Sequence, residues 1–252
     1  MTLEKYIPGE EKNSACLALL KMMDGFDPDQ AYANMIRLRL SGVYSKECKD
    51  IFYTAFENDQ PLSRHWNGWG KHKDAVGNWG HFYTDESCRG KGIGKKLLNF
   101  WFEDLKSWDD TPLCFLCSAG TKELTDLYRR YGFRPAIEGT DHGYLYMPLQ
   151  NSPESFRELH QNYYQPSKLL FHRPATVEYR HEIDCLLRYT FSDLGLGFSV
   201  GRLWSIEEAL LKYPDQAGMY FSEDGHCVGC SFEGKVKIHP IYKDSEIVEE
   251  FN

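Results

Sequence analysis

Apolar positions over residues 1–149 switch between a period of two and a period near 3.6, and the switches mark out the elements. Leu3-Glu-Lys-Tyr-Ile7 reads as a first strand, and a helix is predicted from Glu10 to Met23. Asp27-Pro28-Asp29-Gln30 opens a second helix, with Asp27 as cap, Pro28 in the first turn and Gln30 at the capping-box position. Tyr32, Met35, Ile36 and Leu40 give that helix one apolar face, and Gly42 ends it. Strands are predicted at Asp50–Glu57, at Gln60–Trp69 after an Asn58-Asp59 turn, and at Val76–Asp85. Ile93, Leu97, Trp101 and Leu105 then recur at helical spacing. A strand at Pro112–Ser118 follows, then a helix from Thr121 to Tyr131 with Leu124, Tyr128 and Tyr131 on one side, ended by Gly132. Tyr144–Leu149 is the last strand of the run. The order β-α-α-β-β-β-α-β-α-β describes a mixed α/β domain over residues 1–149.

Asn151-Ser152-Pro153-Glu154 opens a connecting helix within residues 150–167, with Ser152 as cap and Phe156, Leu159 and Tyr163 as its apolar side. A second domain is expected over residues 168–252. There Ile183, Leu186, Leu187 and Phe191 form a helical stripe, and Ser205–Tyr213 is a second helix. Met219 to Cys230 carries a hairpin signal with Asp224-Gly225 at its turn.

Composition narrows the function. Twenty-nine basic against 37 acidic residues leave a net charge of −8, which disfavours nucleic acid and anionic membranes as partners. The longest apolar run, Ala15–Leu20, has six residues, far short of the roughly 20 that a membrane span needs. Without an apolar leader after Met1, the expectation is a cytoplasmic protein with reduced thiols. Eight cysteines include two C-x-x-C pairs, Cys114/Cys117 and Cys227/Cys230. Both lie in strand-like runs, where positions i and i+3 point to opposite faces, so small buried residues are favoured over a zinc site and no metal is expected.

Arg89-Gly90-Lys91-Gly92-Ile93-Gly94 is the most informative stretch, set between a predicted strand and a helix. Glycines let backbone amides approach a ligand, and the N-terminus of the helix that follows favours an anion. Arg89, Lys91, Lys95 and Lys96 place four cations in eight residues, with no acid between Glu86 and Glu103. A phosphate or pyrophosphate is the ligand such chemistry suits. The spacing G-x-G-x-G fails the dinucleotide fingerprint, and Lys96 stands where a Walker loop needs a hydroxyl. The pattern [Gln/Arg]-x-x-Gly-x-[Gly/Ala] fits Arg89 to Gly94 throughout.

With its flanks, His81-Phe-Tyr-Thr-Asp-Glu-Ser-Cys-Arg-Gly-Lys-Gly-Ile-Gly-Lys-Lys-Leu-Leu98 resembles the acetyl-CoA-binding motif of the GNAT superfamily of N-acetyltransferases. Leu127-Tyr-Arg-Arg-Tyr-Gly-Phe133 resembles that superfamily's second motif, and the resemblance covers residues 3–149. It implies a mostly antiparallel sheet with two central strands splayed apart, and a pantetheine arm paired with the backbone of Phe82, Tyr83 and Thr84. It also implies a pyrophosphate on the amides from Gly90 through Lys91, Gly92, Ile93 and Gly94 to Lys95. Thr121 falls where many members carry a cofactor-contacting Asn. Residues 173–244 resemble the N-terminal half of another such domain, in which Lys243-Asp244-Ser245 replaces the glycine loop. This tail is expected to bind no second cofactor, and packing, walling the amine pocket or homodimer formation are its open roles.

The resemblance implies direct transfer of acetyl from acetyl-CoA to a primary amine, with a tyrosine protonating the departing thiolate. Tyr128 occupies that tyrosine's position, and a core aromatic is the structural alternative. The strand after the loop helix, Leu113-Cys-Phe-Leu-Cys, holds no carboxylate. His81, Glu57 and Asp74 are the candidate bases, and a relay through water needs none of them. Trp66, Trp69 and Trp79 with nearby carboxylates would suit a cationic amine: a polyamine, an aminosugar or a lysine side chain. A catalytically silent acyl-CoA-binding sensor is the competing function.

Overall fold

The computed structural model describes residues 1–24, 30–150, 152–196 and 203–250. The expected cap at Asp27-Pro28-Asp29, the side chain of Tyr32 and the helix-opening Asn151 lie outside the described residues. Packing groups the chain into two compact units, one of Met1–Lys71 with Asn78–Thr111, the other of His72–Gly77 with Pro112–Asn252.

In the first unit, β1 (Thr2–Tyr6), β2 (Cys48–Glu57), β3 (Gln60–Gly70) and β4 (Gly77–Thr84) lie side by side in chain order. β1–β2 and β2–β3 are antiparallel, with Tyr6 opposite Phe52 and Tyr53 opposite His65. Asn58 and Asp59 both take positive φ, +49° and +58°, the backbone of the tight turn that joins β2 to β3. Helix α1 (Ser14–Asp24) starts later than the apolar pattern predicts. Asn13 is the reason: its Oδ1 accepts from the Cys16 amide at 3.1 Å, so the chain is capped there and Glu10–Lys12 stays outside the helix. Helix α2 (Gln30–Ser41) follows.

Helix α3 (Ile93–Leu105) buries Leu97, Trp101 and Leu105 of the stripe its sequence spacing predicts, with Leu98 beside them, while Ile93 is half-buried. His65 sits in the same layer, stacked on Tyr53 at 4.8 Å and edge-on to Trp101 at 5.2 Å. Burial pushes its imidazole down to about 3, so it packs as a neutral ring. The far end of α3 is tied down by Asp104, which accepts from Lys5 Nζ at 2.7 Å, Tyr53 Oη at 2.5 Å and Trp108 Nε1 at 3.0 Å. Burial alone would raise this carboxyl, but those three donors hold it below the usual range.

In the second unit, β5 (Cys114–Ala119), β6 (Arg134–Pro135) and β7 (Gly143–Pro148) form antiparallel pairs in the order β5-β7-β6, with α4 (Lys122–Arg129) before β6. The two-residue β6 carries no alternation for a sequence reading to detect. The connecting helix, α5 (Phe156–Tyr163), is capped by Ser155, whose Oγ accepts from the Glu158 amide at 3.2 Å, and not by Ser152. Ser155 is the serine with a glutamate three residues on, so it, and not Ser152, meets the capping-box rule.

The tail forms its own sheet. Strands β8 (Leu169–Pro174), β9 (Ala217–Ser222), β10 (Cys227–Phe232) and β11 (Lys235–Ile238) pair antiparallel in that order, the order of β1 to β4. Between β8 and β9 run α6 (Arg180–Asp184), a π-helical turn (Cys185–Thr190), α7 (Phe191–Asp193) and α8 (Leu203–Lys212). Where a glycine loop and helix would follow β11, the chain makes a short turn at Pro240–Tyr242 and adds β12 (Glu246–Glu249) parallel to β8. No described helix is long and apolar enough to cross a membrane.

Trp101 makes the core of the first unit testable. Trp101→Ala should cost about 3–5 kcal/mol, the range for deleting a buried aromatic ring. Chemical denaturation of the variant measures it, and a loss below about 1 kcal/mol would show that α3 does not anchor on this ring.

Candidate acyl-CoA site

The glycine loop is built from three local devices. Asp85 closes a tight turn over Glu86–Cys88 by accepting from the Ser87 amide at 2.9 Å and the Ser87 hydroxyl at 2.5 Å. Those bonds hold its carboxyl below the usual range. Arg89 then folds back: its Nε donates to the Thr84 carbonyl at 3.1 Å and its guanidinium lies 5.6 Å from the Tyr83 ring. Gly90 and Gly92 take φ of +75° and +74°, and a Cβ at either would meet nothing within 4 Å. Backbone conformation therefore demands glycine at both positions, and open space lies over them.

Gly92 is the N-cap residue of α3 and offers it no side-chain cap. The first-turn amides thus carry the positive end of the helix dipole without a covering side chain. Gly94 meets a different constraint. A Cβ there would stand 2.8 Å from Thr84 Oγ1 and 2.9 Å from Phe82 Cζ, so α3 begins in direct contact with β4. Lys91, Lys95 and Lys96 are exposed around the loop. Phe82, Tyr83 and Thr84 close the strand, with Ser63 Oγ donating to the Tyr83 carbonyl at 2.9 Å and lying 3.0 Å from Thr84 Oγ1.

His81, one residue before that stretch, has a left-handed φ of +54°, a strained setting for a residue with a Cβ. Arg39 Nη1 lies 2.5 Å from its Nε2, and Arg64 Nε donates to its carbonyl at 3.3 Å. Burial and the charges of Arg39 and Arg64 hold this imidazole well below its ordinary range. A guanidinium can only donate, so the His81 Nε2 is an acceptor and the ring is neutral. Glu57 stands at the exposed end of β2, where the Met1 amine donates to it at 2.9 Å and holds its carboxyl low. Asp74 lies in the β3–β4 connection with φ of +57° and pairs with Lys73 at 3.7 Å.

Trp66, Trp69 and Trp79 are 2%, 2% and 4% exposed, so all three pack as core. Trp66 donates to Asp50 at 2.8 Å and carries the Arg39 guanidinium 4.2 Å above its ring. Sequence reasoning passed over Arg39 and Arg64, both 1% exposed. Arg39 sits inside the apolar stripe of α2 between Ile36 and Leu40, and Arg64 two residues before Trp66 on β3, which is the signal that was present.

In the second unit, Thr121 is the N-cap of α4, and its Oγ1 accepts from the Leu124 amide at 3.3 Å. Tyr128 is buried on α4, 6.1 Å from the Phe133 ring. Burial, reinforced by the Cys117 thiol, raises its phenol well above the ordinary value, so it keeps its proton. All eight cysteines are free thiols, seven of them buried, and burial pushes Cys117 up and Cys230 up to about 12. Among the described residues no group of three or more His, Cys, Asp or Glu could hold a metal ion.

No curated protein matches the sequence. Solved structures similar to this chain include Escherichia coli ElaA, 19% identical over 60% of this chain and 100% of its own, with a TM-score of 0.43. An acyl-CoA N-acyltransferase from Pseudomonas aeruginosa is 21% identical over 58% of this chain and 99% of its own, with a TM-score of 0.39. A GNAT-family acetyltransferase from Staphylococcus aureus MU50 is 14% identical over 59% and 100%, with a TM-score of 0.40. The family model described as Acetyltransferase (GNAT) domain matches residues 49–135, from the start of β2 through the loop, α3 and α4 to β6. The loop geometry agrees with that match: residues 49–135 carry the sequence pattern of an acetyltransferase (GNAT) domain.

Proposed function

We propose that this protein transfers acetyl from acetyl-CoA to a primary amine, a small cationic amine or a lysine side chain, by direct attack. The observation that carries the reading is the opening of α3: two glycines in left-handed backbone, an uncapped helix N-terminus and four neighbouring cations. Amides from Gly90 to Lys95 would hold the pyrophosphate, and the backbone of Phe82 to Thr84 would pair with the pantetheine arm. The family-like domain is taken to run over residues 1–149, joined through 150–167 to the tail at 168–252.

In the reaction, the amine nitrogen attacks the thioester carbon and the C–S bond breaks. The thiolate takes its proton from the Tyr128 hydroxyl, the proton of the amine leaves to water, and the Tyr128 phenolate regains a proton from water. Tyr128 is protonated at neutral pH, as a donor must be, and the burial that raises its phenol makes it a weaker acid than a free tyrosine. A water relay is favoured on the base side. The neutral His81 already accepts from Arg39, and Glu57 is held by an amine at the strand end. The second reading, a silent acyl-CoA sensor, draws on the use of Thr121 as a helix cap and on a β5 strand without a carboxylate.

Thiol release from acetyl-CoA over a panel of amines separates the two. Turnover with at least one amine is expected, and tight binding with no turnover on any would favour the sensor. Tyr128→Phe should lower kcat about 100-fold or more, the low end of general acid–base contributions, with little change in acetyl-CoA affinity. Wild-type turnover in the variant, with chemistry rate-limiting, would reduce Tyr128 to a core ring.

His81 gives a pH prediction. Its folded pKa lies below the unfolded value of 6.5, so the unfolded chain binds more protons. Its contribution to stability is present above pH 6.5 and is lost as the pH falls below it. Imidazole NMR should show His81 neutral throughout the ordinary histidine range, and titration near 6.5 would contradict the arginine contacts.

A further inference from the structure

The segment His72–Gly77 leaves β3 and leads into β4, yet it packs within the second unit, against residues more than a hundred positions later in the chain. Glu182 on α6 is the centre of that packing. Its Oε1 accepts from the Val76 amide at 2.9 Å and lies 3.0 Å from His72 Nε2. The carboxylate is completely buried, and Val76 is 2% exposed. Ala75 adds a backbone tie, its carbonyl accepting from Leu113 at 2.8 Å. A Cβ on Gly77 would stand 2.9 Å from both Phe115 and Pro112, so the segment is seated without slack.

The groups facing this pair are almost all acidic or neutral. Glu178 Oε1 lies 3.7 Å from His72 Nδ1, Asp74 adds its charge from the same segment, and the Tyr179 ring stacks on His72 at 4.2 Å. Cys114, Tyr163 and Cys227 face Glu182 as neutral thiols and phenol. Burial alone would lower the His72 imidazole, but the Glu182 bond and charge, with Glu178 and Asp74, raise it above its ordinary value. His72 is thus the cation that balances a buried carboxylate, and the carboxylate holds a main-chain amide two residues before Asn78.

We infer that Glu182 is a positioning residue for the acetyltransferase domain, fixing through His72 and the Val76 amide the point from which β4 sets out toward the glycine loop. The tail would then serve acetyl-CoA binding through chain continuity, with no cofactor of its own. The inference rests on the acyl-CoA reading of the loop. It also makes cofactor affinity depend on pH. Because the folded pKa of His72 is raised, its contribution is present below pH 6.5 and is lost as the pH rises through that folded value.

Glu182→Gln keeps an oxygen for the Val76 amide and removes the charge. His72→Gln is the second variant, at a side chain only 15% exposed but less enclosed than Glu182. In each, the Kd for acetyl-CoA should rise about 3- to 10-fold, the scale of coupling through a packed network. In the wild type, calorimetry across pH should show affinity falling as His72 deprotonates, and both variants should lose that dependence. NMR should find the His72 pKa lowered in Glu182→Gln. A purely structural role would lower Tm in the variants and leave the pH profile of Kd unchanged. Variant affinities equal to wild type, or a wild-type affinity flat in pH, would overturn the inference. A wild type that binds no acetyl-CoA at any pH would instead overturn the reading of the loop, while the His72 shift in Glu182→Gln would still report the pair.

Discussion

An α-helix begins with amides that its own turns cannot satisfy, and α3 here begins at a glycine that brings no capping side chain. Most helices solve the problem with a serine, threonine, aspartate or asparagine; α4 and α5 do so here through Thr121 and Ser155. At α3 the N-cap position is Gly92, in left-handed backbone, with Gly90 in the same conformation two residues earlier. The chain gives up a cap and the conformational economy of ordinary residues, and in return presents several amides and a helix dipole to one point. Everything around that point keeps it in place: Asp85 fixes the preceding turn, Gly94 lets the helix lie on β4, and Leu97, Leu98 and Trp101 bury its far side.

Charge follows the same logic of separation. An acidic chain of net −8 places four of its 29 cations within eight residues at this loop, where an anion would need them. A second group of cations, Arg39 and Arg64, is buried against Trp66, Tyr83 and His81 and acts differently. Those guanidiniums hold His81 neutral and fix it in a strained backbone conformation just before the strand segment Phe82–Thr84. Their effect is to shape the strand, whereas the lysines of the loop remain exposed to solvent.

The order of elements was legible because each helix and most strands carry their own period: the stripe of α3 and the Asn58-Asp59 turn need no distant information. The loop was legible for a similar reason, since its glycines, cations and following helix are contiguous. Elements held by distant partners were not. β12 is four mostly exposed residues whose strand character comes from pairing with Leu169–His172, and β6 is two residues lodged beside β7. The cap of α5 was misplaced by three residues because two serines compete and only the position of Glu158 decides. Arg39, Arg64 and Glu182 look like surface residues in a one-dimensional reading. What they pack against, a tryptophan face for Arg39, a tyrosine ring for Arg64 and an amide 106 residues earlier for Glu182, exists only in the folded chain.

The central claim is that the backbone of the glycine loop binds the pyrophosphate of acetyl-CoA. Isothermal calorimetry of Gly92→Asp beside Gly92→Ala tests it most directly. The left-handed backbone costs alanine about 1–2 kcal/mol and aspartate no more than that, but only aspartate brings a negative charge to the amides. The account predicts one acetyl-CoA per wild-type chain, a loss of about 100-fold or more in Gly92→Asp from like-charge repulsion, and a much smaller loss in Gly92→Ala. A folded Gly92→Asp protein that binds acetyl-CoA as tightly as the wild type would contradict it.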